Sequence, residues 1–286
     1  LVAPYFVKKD VRHLDALIDG VYTHNRNYKY AGMPFWNSVA HVELAIFDLL
    51  SRAAEVTVGQ LLGKVLRNEI PVYISRFDRD TTPQQEVRNV SAALQQTGAK
   101  ATKLKVGKRM FNTPEQTRRD LAMLELARKT WGDDVEIFVD ANGSYKAEEA
   151  IRVGREMEKL KIGFLEEPCR WQDYQGTLAV ADALDMTVAG GEQDSSLDQF
   201  HWMIDRRVVD LVQPDIYYCG GLTRMLRVAK MAELAGRKIT PHSPKTGAEA
   251  AANLHFASVV PNLGPYQEYR HAPEVTDGKV QVPTAP

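Results

Sequence analysis

The chain has 286 residues, enough for one closed barrel or two ordinary domains. Its 36 basic and 37 acidic side chains leave a formal charge of −1, which argues against a nucleic-acid partner or an acidic membrane surface. Two cysteines, Cys169 and Cys219, make no disulfide framework and fit a reducing compartment. With no apolar run of membrane-spanning length and no signal sequence at the start, the expectation is a cytoplasmic protein with no membrane contact.

Residues 1–70 read as helical. A first helix is predicted over 11–21, followed by a Gly32-Met33-Pro34 turn. The stretch 37–50 then places Val39, Val42, Ala45 or Ile46, and Leu49 on one face, with Asn37 or Ser38 as its cap. Leu61-Leu62-Gly63 reads as a short helix stopping at a glycine; His13, His24 and His41 read as surface or packing residues. From Pro71 onward the pattern becomes strand–helix alternation. Strands are predicted over 71–77, 101–106, 135–140, 162–166, 187–192, 209–215, 238–242 and 264–269, with helices over 84–96, 114–130, 147–159 and from Gly220-Gly221 to about 235. Eight such strands predict an α/β fold closed into a parallel barrel over 71–270. Residues 271–286 form a tail carrying proline, glycine and charge, with no clear helix.

The strand ends carry the chemistry. Asp140, Glu166 and Glu192 end the third, fourth and fifth strands at intervals of 26 residues. One barrel unit takes roughly 25–30 residues, and reactive side chains sit at the C-terminal ends of the strands. The three carboxylates therefore converge on the barrel mouth, where they repel one another unless a cation joins them. An all-oxygen set suits Mg²⁺ before Ca²⁺ or Zn²⁺. The pitch continues through Asp215, His242 and Glu268. Lys103 and Lys105 share one face of the second strand, because strand side chains alternate. A lysine beside a second ammonium and a metal ion is expected to lose its proton more readily, as a general base must. Asp215 beside His242 is expected to fix the ring's tautomer and favour its cation. Singly, each feature has a plain structural explanation: a solvated lysine pair, or a carboxylate capping a helix. Their common register is what favours function.

The motifs Lys103-Leu104-Lys105, Asp140-Ala141-Asn142, Glu166-Glu167-Pro168, Gly191-Glu192, Gln213-Pro214-Asp215 with Gly220-Gly221-Leu222-Thr223, Pro241-His242-Ser243, and Glu268 closely resemble the mandelate racemase subgroup of the enolase superfamily. The resemblance runs from about residue 40 to Glu268. It implies a (β/α)₇β barrel, with 1–70 the helical remainder of an N-terminal capping domain. It also implies Mg²⁺ on Asp140, Glu166 and Glu192, and abstraction of the proton α to a carboxylate to give a metal-stabilised ene-diolate. In that scheme Lys105 and the His242–Asp215 pair are the acid/base groups, Lys103 tunes Lys105, and Asn142 touches the substrate. A protonated Glu268 donates a hydrogen bond to the substrate carboxylate, and Glu167 supports the site from outside. The Asp215–His242 pair separates this subgroup from relatives that place a lysine at the end of the sixth strand.

The resemblance makes dehydration of a sugar acid to a 2-keto-3-deoxy acid the leading expectation. Racemisation or epimerisation of a 2-hydroxy acid comes second and cycloisomerisation of an anhydro-sugar acid third. The complete acid/base set disfavours a non-catalytic assembly subunit, and Gly220-Gly221 matches the family motif rather than a phosphate loop. The family pattern also predicts missing segments: an antiparallel capping sheet ahead of Leu1 and a longer tail, whose loops choose the substrate. A helical face near 35–50 left partly uncovered predicts a homo-oligomer.

Overall fold

A computed structural model describes residues 2–286. Four helices come first: α1 (Ala3–Phe6), α2 (Leu14–Thr23, entered through a 3-10 turn at Val11–His13), α3 (Met33–Ala54) and α4 (Val58–Leu62). The barrel follows as β1 (Glu69–Ser75), α5 (Pro83–Thr97), β2 (Ala101–Lys105), α6 (Pro114–Trp131), β3 (Glu136–Asp140), α7 (Ala147–Lys159), β4 (Phe164–Glu166) and α8 (Tyr174–Ala183). It continues with β5 (Thr187–Gly190), α9 (Leu197–Asp205), β6 (Leu211–Val212), α10 (Leu222–Leu234), β7 (Lys238–Ile239), α11 (Gly247–Val259) and β8 (Gln267–Tyr269). The predicted tail contains one further strand, β9 (Lys279–Gln281).

Neighbouring strands run β7-β6-β5-β4-β3-β2-β1-β8, all parallel. The ring closes where Ile239 pairs with Leu263, and Gly264 N donates to Ile239 O at 2.8 Å. β9 lies antiparallel to the N-terminal end of β1, with Ile70 opposite Val280. The ladders of β6 and β7 are only two residues long, so Asp215 and His242 lie beyond them and meet through a parallel bridge of their own. Helices begin where hydroxyl caps permit: Thr82, Thr113 and Ser196 accept from the first turns of α5, α6 and α9.

Inside the barrel Tyr73, Ala101, Phe138, Phe164, Ala189 and Leu211 form one apolar cluster, with Phe138 and Phe164 stacked at 4.2 Å. Side chains alternate along a strand, so the next inward residues are Ser75, Lys103, Asp140 and Glu166. The aromatic layer is thus the floor of the polar site and excludes water from below.

α3 departs from the predicted pattern at both its start and its face. It starts at Met33 after Gly32, and Ser38 instead donates back to Pro34 O at 3.0 Å. Its buried residues include Trp36, Val39, Ala40, Glu43, Ile46 and Phe47, whereas Leu49 is 57% exposed. An apolar pattern passes over Glu43, which the fold buries on this same helix. Glu43 is fully buried and accepts from the backbone N–H groups of Leu222 and Thr223, capping α10 from a distant helix. Gly221 (φ +104°) allows this approach, since a Cβ there would overlap the Glu43 carboxylate. Two turns before Glu43, Trp36 lies under the Arg224 guanidinium, 3.5 Å from the ring centroid.

His13, His24 and His41 are exposed. Cys169 and Cys219 are buried and unpaired, and burial pushes the Cys169 thiol up to about 12 and that of Cys219 further. Among the described residues no helix is long and apolar enough to cross a membrane.

Candidate active site at the barrel mouth

Asp140 and Glu166 close β3 and β4 and stand opposite each other in the ladder; Glu192 follows β5 after the Gly190-Gly191 turn. All three are buried, and one carboxylate oxygen from each lies within 4.8 Å of the others. Lys103 sits fully buried beside them, its Nζ 2.7 Å from Glu166 Oε2 and 2.9 Å from Glu268 Oε1. Lys105, one residue pair nearer the mouth, is ion-paired with Asp140 and lies 3.2 Å from Asn142 Oδ1. Asn142 adopts a left-handed φ of 42°, a conformation asparagine tolerates better than most residues, and its N–H closes back on Asp140 Oδ1 at 2.8 Å. His242 Nδ1 lies 2.8 Å from Asp215 Oδ2, and its Nε2 lies 3.4 Å from Glu192 Oε2. Asp215 Oδ1 accepts from the N–H groups of Tyr217 and Tyr218, which fixes the carboxylate that holds the ring. All nine residues singled out by the sequence therefore meet at one end of the barrel: Lys103, Lys105, Asp140, Asn142, Glu166, Glu192, Asp215, His242 and Glu268.

Burial and charge act against each other in this cluster. Burial pushes Glu166 up to about 8 against the pull of Lys103, and Asp140 and Glu192 add to the rise. Burial, with Glu192 beside it, also raises Glu167 well above its ordinary range. For Asp140 burial is outweighed by Lys105 and Lys103, which hold the carboxyl below its ordinary value. Burial would strip Lys103 of its proton, but Glu166 and Glu268 raise its affinity well above the ordinary lysine range. His242 is likewise raised to about 9, because Glu192 and the Asp215 hydrogen bond overcome burial.

Glu268 stands among donors. Burial favours its neutral form, but Lys103 and His242 outweigh that and hold it well below the carboxylate range. Both oxygens are already acceptors: Oε1 from Ser75 Oγ at 2.7 Å, and Oε2 from Ser243 N at 2.8 Å. With these donors and the Lys103 ammonium around it, both Glu268 oxygens act as acceptors and its ionised form is favoured.

The donor set fits a hard divalent ion. Glu166 Oε1 and Glu192 Oε2 are buried without a hydrogen-bond partner, although the remaining oxygens of Glu166 and Asp140 are engaged. Buried carboxylate oxygens without a donor are costly, and three converging oxygen ligands match the coordination such an ion takes.

A cavity of about 430 Å³ opens over these groups, lined by Lys105, Arg109, Asn142, Glu192, Trp171 and His242 among others. A larger open groove of about 770 Å³, between the start of α3 and the loop after β5, shares Trp171 and Gln193 with it but holds none of the nine residues. Of these two, only the smaller cavity is lined by residues of that set. Sequence reasoning missed Ser75 and assigned no role to Gln213, quoted there only as part of a motif, whose Nε2 donates to Glu166 Oε2 at 2.9 Å. Both were findable: each lies two residues along a strand from a residue on the inner face, Tyr73 and Leu211.

Residues 85–286 match the family described as enolase C-terminal domain-like. Arabinonate dehydratase of Saccharolobus solfataricus is 28% identical over 260 residues, covering 91% of this chain and 68% of that protein. L-talarate/galactarate dehydratase of Salmonella typhimurium is 31% identical over 232 residues, covering 81% of this chain and 55% of that protein. The chain thus spans roughly half to two-thirds of these relatives. Among solved structures, a mandelate racemase/muconate lactonizing protein from Paracoccus denitrificans, complexed with magnesium, superposes with a TM-score of 0.92 at 26% identity, covering 100% of this chain and 80% of that one. The chain belongs to the enolase C-terminal domain-like family, with sugar-acid dehydratases of the enolase superfamily among its homologues and mandelate racemase/muconate lactonizing proteins among its structural neighbours.

Proposed function

We propose that this chain is the catalytic barrel of a Mg²⁺-dependent acid-sugar dehydratase, converting a sugar acid to a 2-keto-3-deoxy acid and water. The observation that carries the reading is the placement of two proton-transfer groups, Lys105 and His242, on one cavity with the three carboxylates. β2 and β7 are separated by β1 and β8 around the ring, so the two groups approach a bound substrate from different sides. Asp140, Glu166 and Glu192 would hold the ion, which when bound supplies positive charge against the oxygens of the substrate carboxylate.

The residues of the chain do the rest. Asp215 engages His242 Nδ1 and leaves Nε2 as the atom that carries a proton toward the cavity. Asp140 and Asn142 hold Lys105 Nζ in place. One of the pair takes the α-proton; the C3–O bond then breaks, and the leaving hydroxyl departs as water with a proton from the other. Tautomerisation of the resulting enol gives the keto acid. Lys103 and Glu268 keep the buried charges paired, and the aromatic floor limits water. Racemisation or epimerisation is the second reading, because two groups on different sides of one carbon also suit removal and return of a proton.

A panel of sugar acids incubated with the protein and Mg²⁺ in deuterated water separates the readings. Dehydration gives a 2-keto-3-deoxy product, whereas racemisation gives α-deuterium without one. Neither from any acid would overturn both.

A further inference from the structure

Among the described residues lining the cavity over the site, one cation, the exposed Arg109, has no anionic partner. Of its cationic lining residues, Lys105 is paired with Asp140 and His242 with Asp215. The guanidinium of Arg109 makes no hydrogen bond or ion pair among the described residues.

Arg109 is not on a loosely held loop. Gly107, Arg109 and Met110 all have left-handed backbones, with φ of 67°, 64° and 65°. Two neighbouring non-glycine residues in that region are strained, and such strain persists only where the surroundings over-determine it. The anchors are visible here. Gly107 N donates to the buried Asp120 carboxylate at 2.7 Å, and a Cβ at 107 would overlap Ser144. Arg109 N donates to Ser144 Oγ at 3.0 Å, and Met110 N to Asn142 O at 2.9 Å. The loop after β2 is thus tied to the loop after β3, which carries Asn142, and it sets Arg109 on the cavity wall beyond Lys105.

We infer that Arg109 recognises a second anionic group at the far end of the substrate, and that the favoured substrates are sugar acids with a carboxylate at both ends. This rests on the proposed dehydratase reading, because that reading assigns the first carboxylate to the Asp140–Glu166–Glu192 end. A planar guanidinium offers two parallel donors, which match a carboxylate. Arg79 is held on Asn142 Oδ1 and Arg270 lies over the Phe77 ring, so Arg109 is the guanidinium that lines the cavity itself.

The test is calorimetric binding, with Mg²⁺ present, of matched six-carbon pairs that differ only at C6: D-gluconate with D-glucarate, and D-galactonate with galactarate. 6-Phospho-D-gluconate is a third arm. The wild type should bind the diacid of at least one pair about 10- to 100-fold more tightly than its monoacid, the range for a hydrogen bond between charged groups. Arg109→Ala should collapse that ratio toward one, and Arg109→Lys should restore part of it. A wild-type ratio near one, a ratio unchanged in Arg109→Ala, or no measurable diacid binding at millimolar concentration would overturn the inference. Tighter binding of the phosphate ester would overturn the carboxylate assignment. For any acid that is turned over, the same comparison is made in the His242→Asn background, which by the proposed mechanism forms no keto acid, so binding is read without heat of reaction. Arg109-dependent diacid preference without α-exchange would therefore sink the dehydratase reading alone, whereas turnover without Arg109 dependence would sink this inference alone.

Discussion

Glu43 is a buried carboxylate on α3 and not one of the candidate metal ligands, and replacing it by glutamine should change how stability depends on pH. Burial pushes its carboxyl from an ordinary 4.5 up to about 7, more than the N–H groups of Thr223 and Leu222 can offset. Its protonated form is therefore favoured on folding. The stabilisation is fully present below pH 4.5 and is lost as pH rises through about 7. At ~1.4 kcal/mol per tenfold change in proton affinity, the whole effect is about 3 kcal/mol. Most of it, about 2.5 kcal/mol, is lost between pH 5 and pH 8. Glutamine keeps one acceptor for α10 and does not titrate, so it costs a lost hydrogen bond, ~1 kcal/mol, at every pH. Urea unfolding of both proteins across pH 5–8 reads the difference, since titrations elsewhere cancel in the comparison. The wild type should lose its advantage and fall below Glu43→Gln by pH 8. Parallel stability curves would refute the assignment of a raised proton affinity to Glu43.

Four further outcomes follow from the same geometry. Mg²⁺ should raise the melting temperature of the wild type relative to excess chelator, with a stabilisation that reaches ~2.7 kcal/mol at one hundred times Kd. Alanine at Asp140, Glu166 or Glu192 should remove that response, and an equal response in all three variants would place the ion elsewhere. Lys103→Met leaves Glu166 and Glu268 buried without their shared cation, and should destabilise the fold by about 3–5 kcal/mol in chemical denaturation. A loss under 1 kcal/mol would mean that Lys103 does not neutralise them. Glu268→Gln should destabilise the fold because Lys103 then loses an ionised partner; an unchanged denaturation midpoint would support a neutral Glu268. Sedimentation at micromolar concentration should show a species heavier than the 32.1 kDa chain, because Leu49, Leu61 and Leu66 are exposed on the N-terminal helices and the segment that follows them; a stable monomer would count against assembly.

The barrel and its site were legible because periodicity and spacing are local signals. A carboxylate after each apolar run, repeated at one barrel unit, survives inaccuracies of several residues in the strand boundaries. β6 and β7 keep only two ladder residues each, yet Asp215 and His242 still meet, because the register of the ring places them. What failed depended on tertiary context. In α11, residues 253–258 are buried in an unbroken run, so no helical stripe marks it. α8 buries only Thr177 and Val180. α9 did carry a readable signal, the Ser196/Gln199 capping box. β9 is polar at both ends and exists through its pairing with β1, more than two hundred residues earlier. The face of α3 was misread because an apolar pattern passes over a buried glutamate until its partner helix is known. The surroundings of Glu268 are also tertiary context: Ser75, Lys103 and the Ser243 N–H favour its ionised form where burial alone would favour the neutral one.

The central claim, that Lys105 and His242 are the two proton-transfer groups and reach one bound substrate from different sides, is tested most directly by stereochemistry. With an active acid in deuterated water, proton NMR follows loss of the α-hydrogen in wild type, Lys105→Ala and His242→Asn. Removing a general base typically costs ~10²–10⁴ in rate. Lys105→Ala should lose exchange from one α-configuration and His242→Asn from the other, with one variant still exchanging the α-hydrogen while forming no keto acid. Wild-type exchange and turnover in both variants would contradict the account, and the site would then need a different acid/base pair.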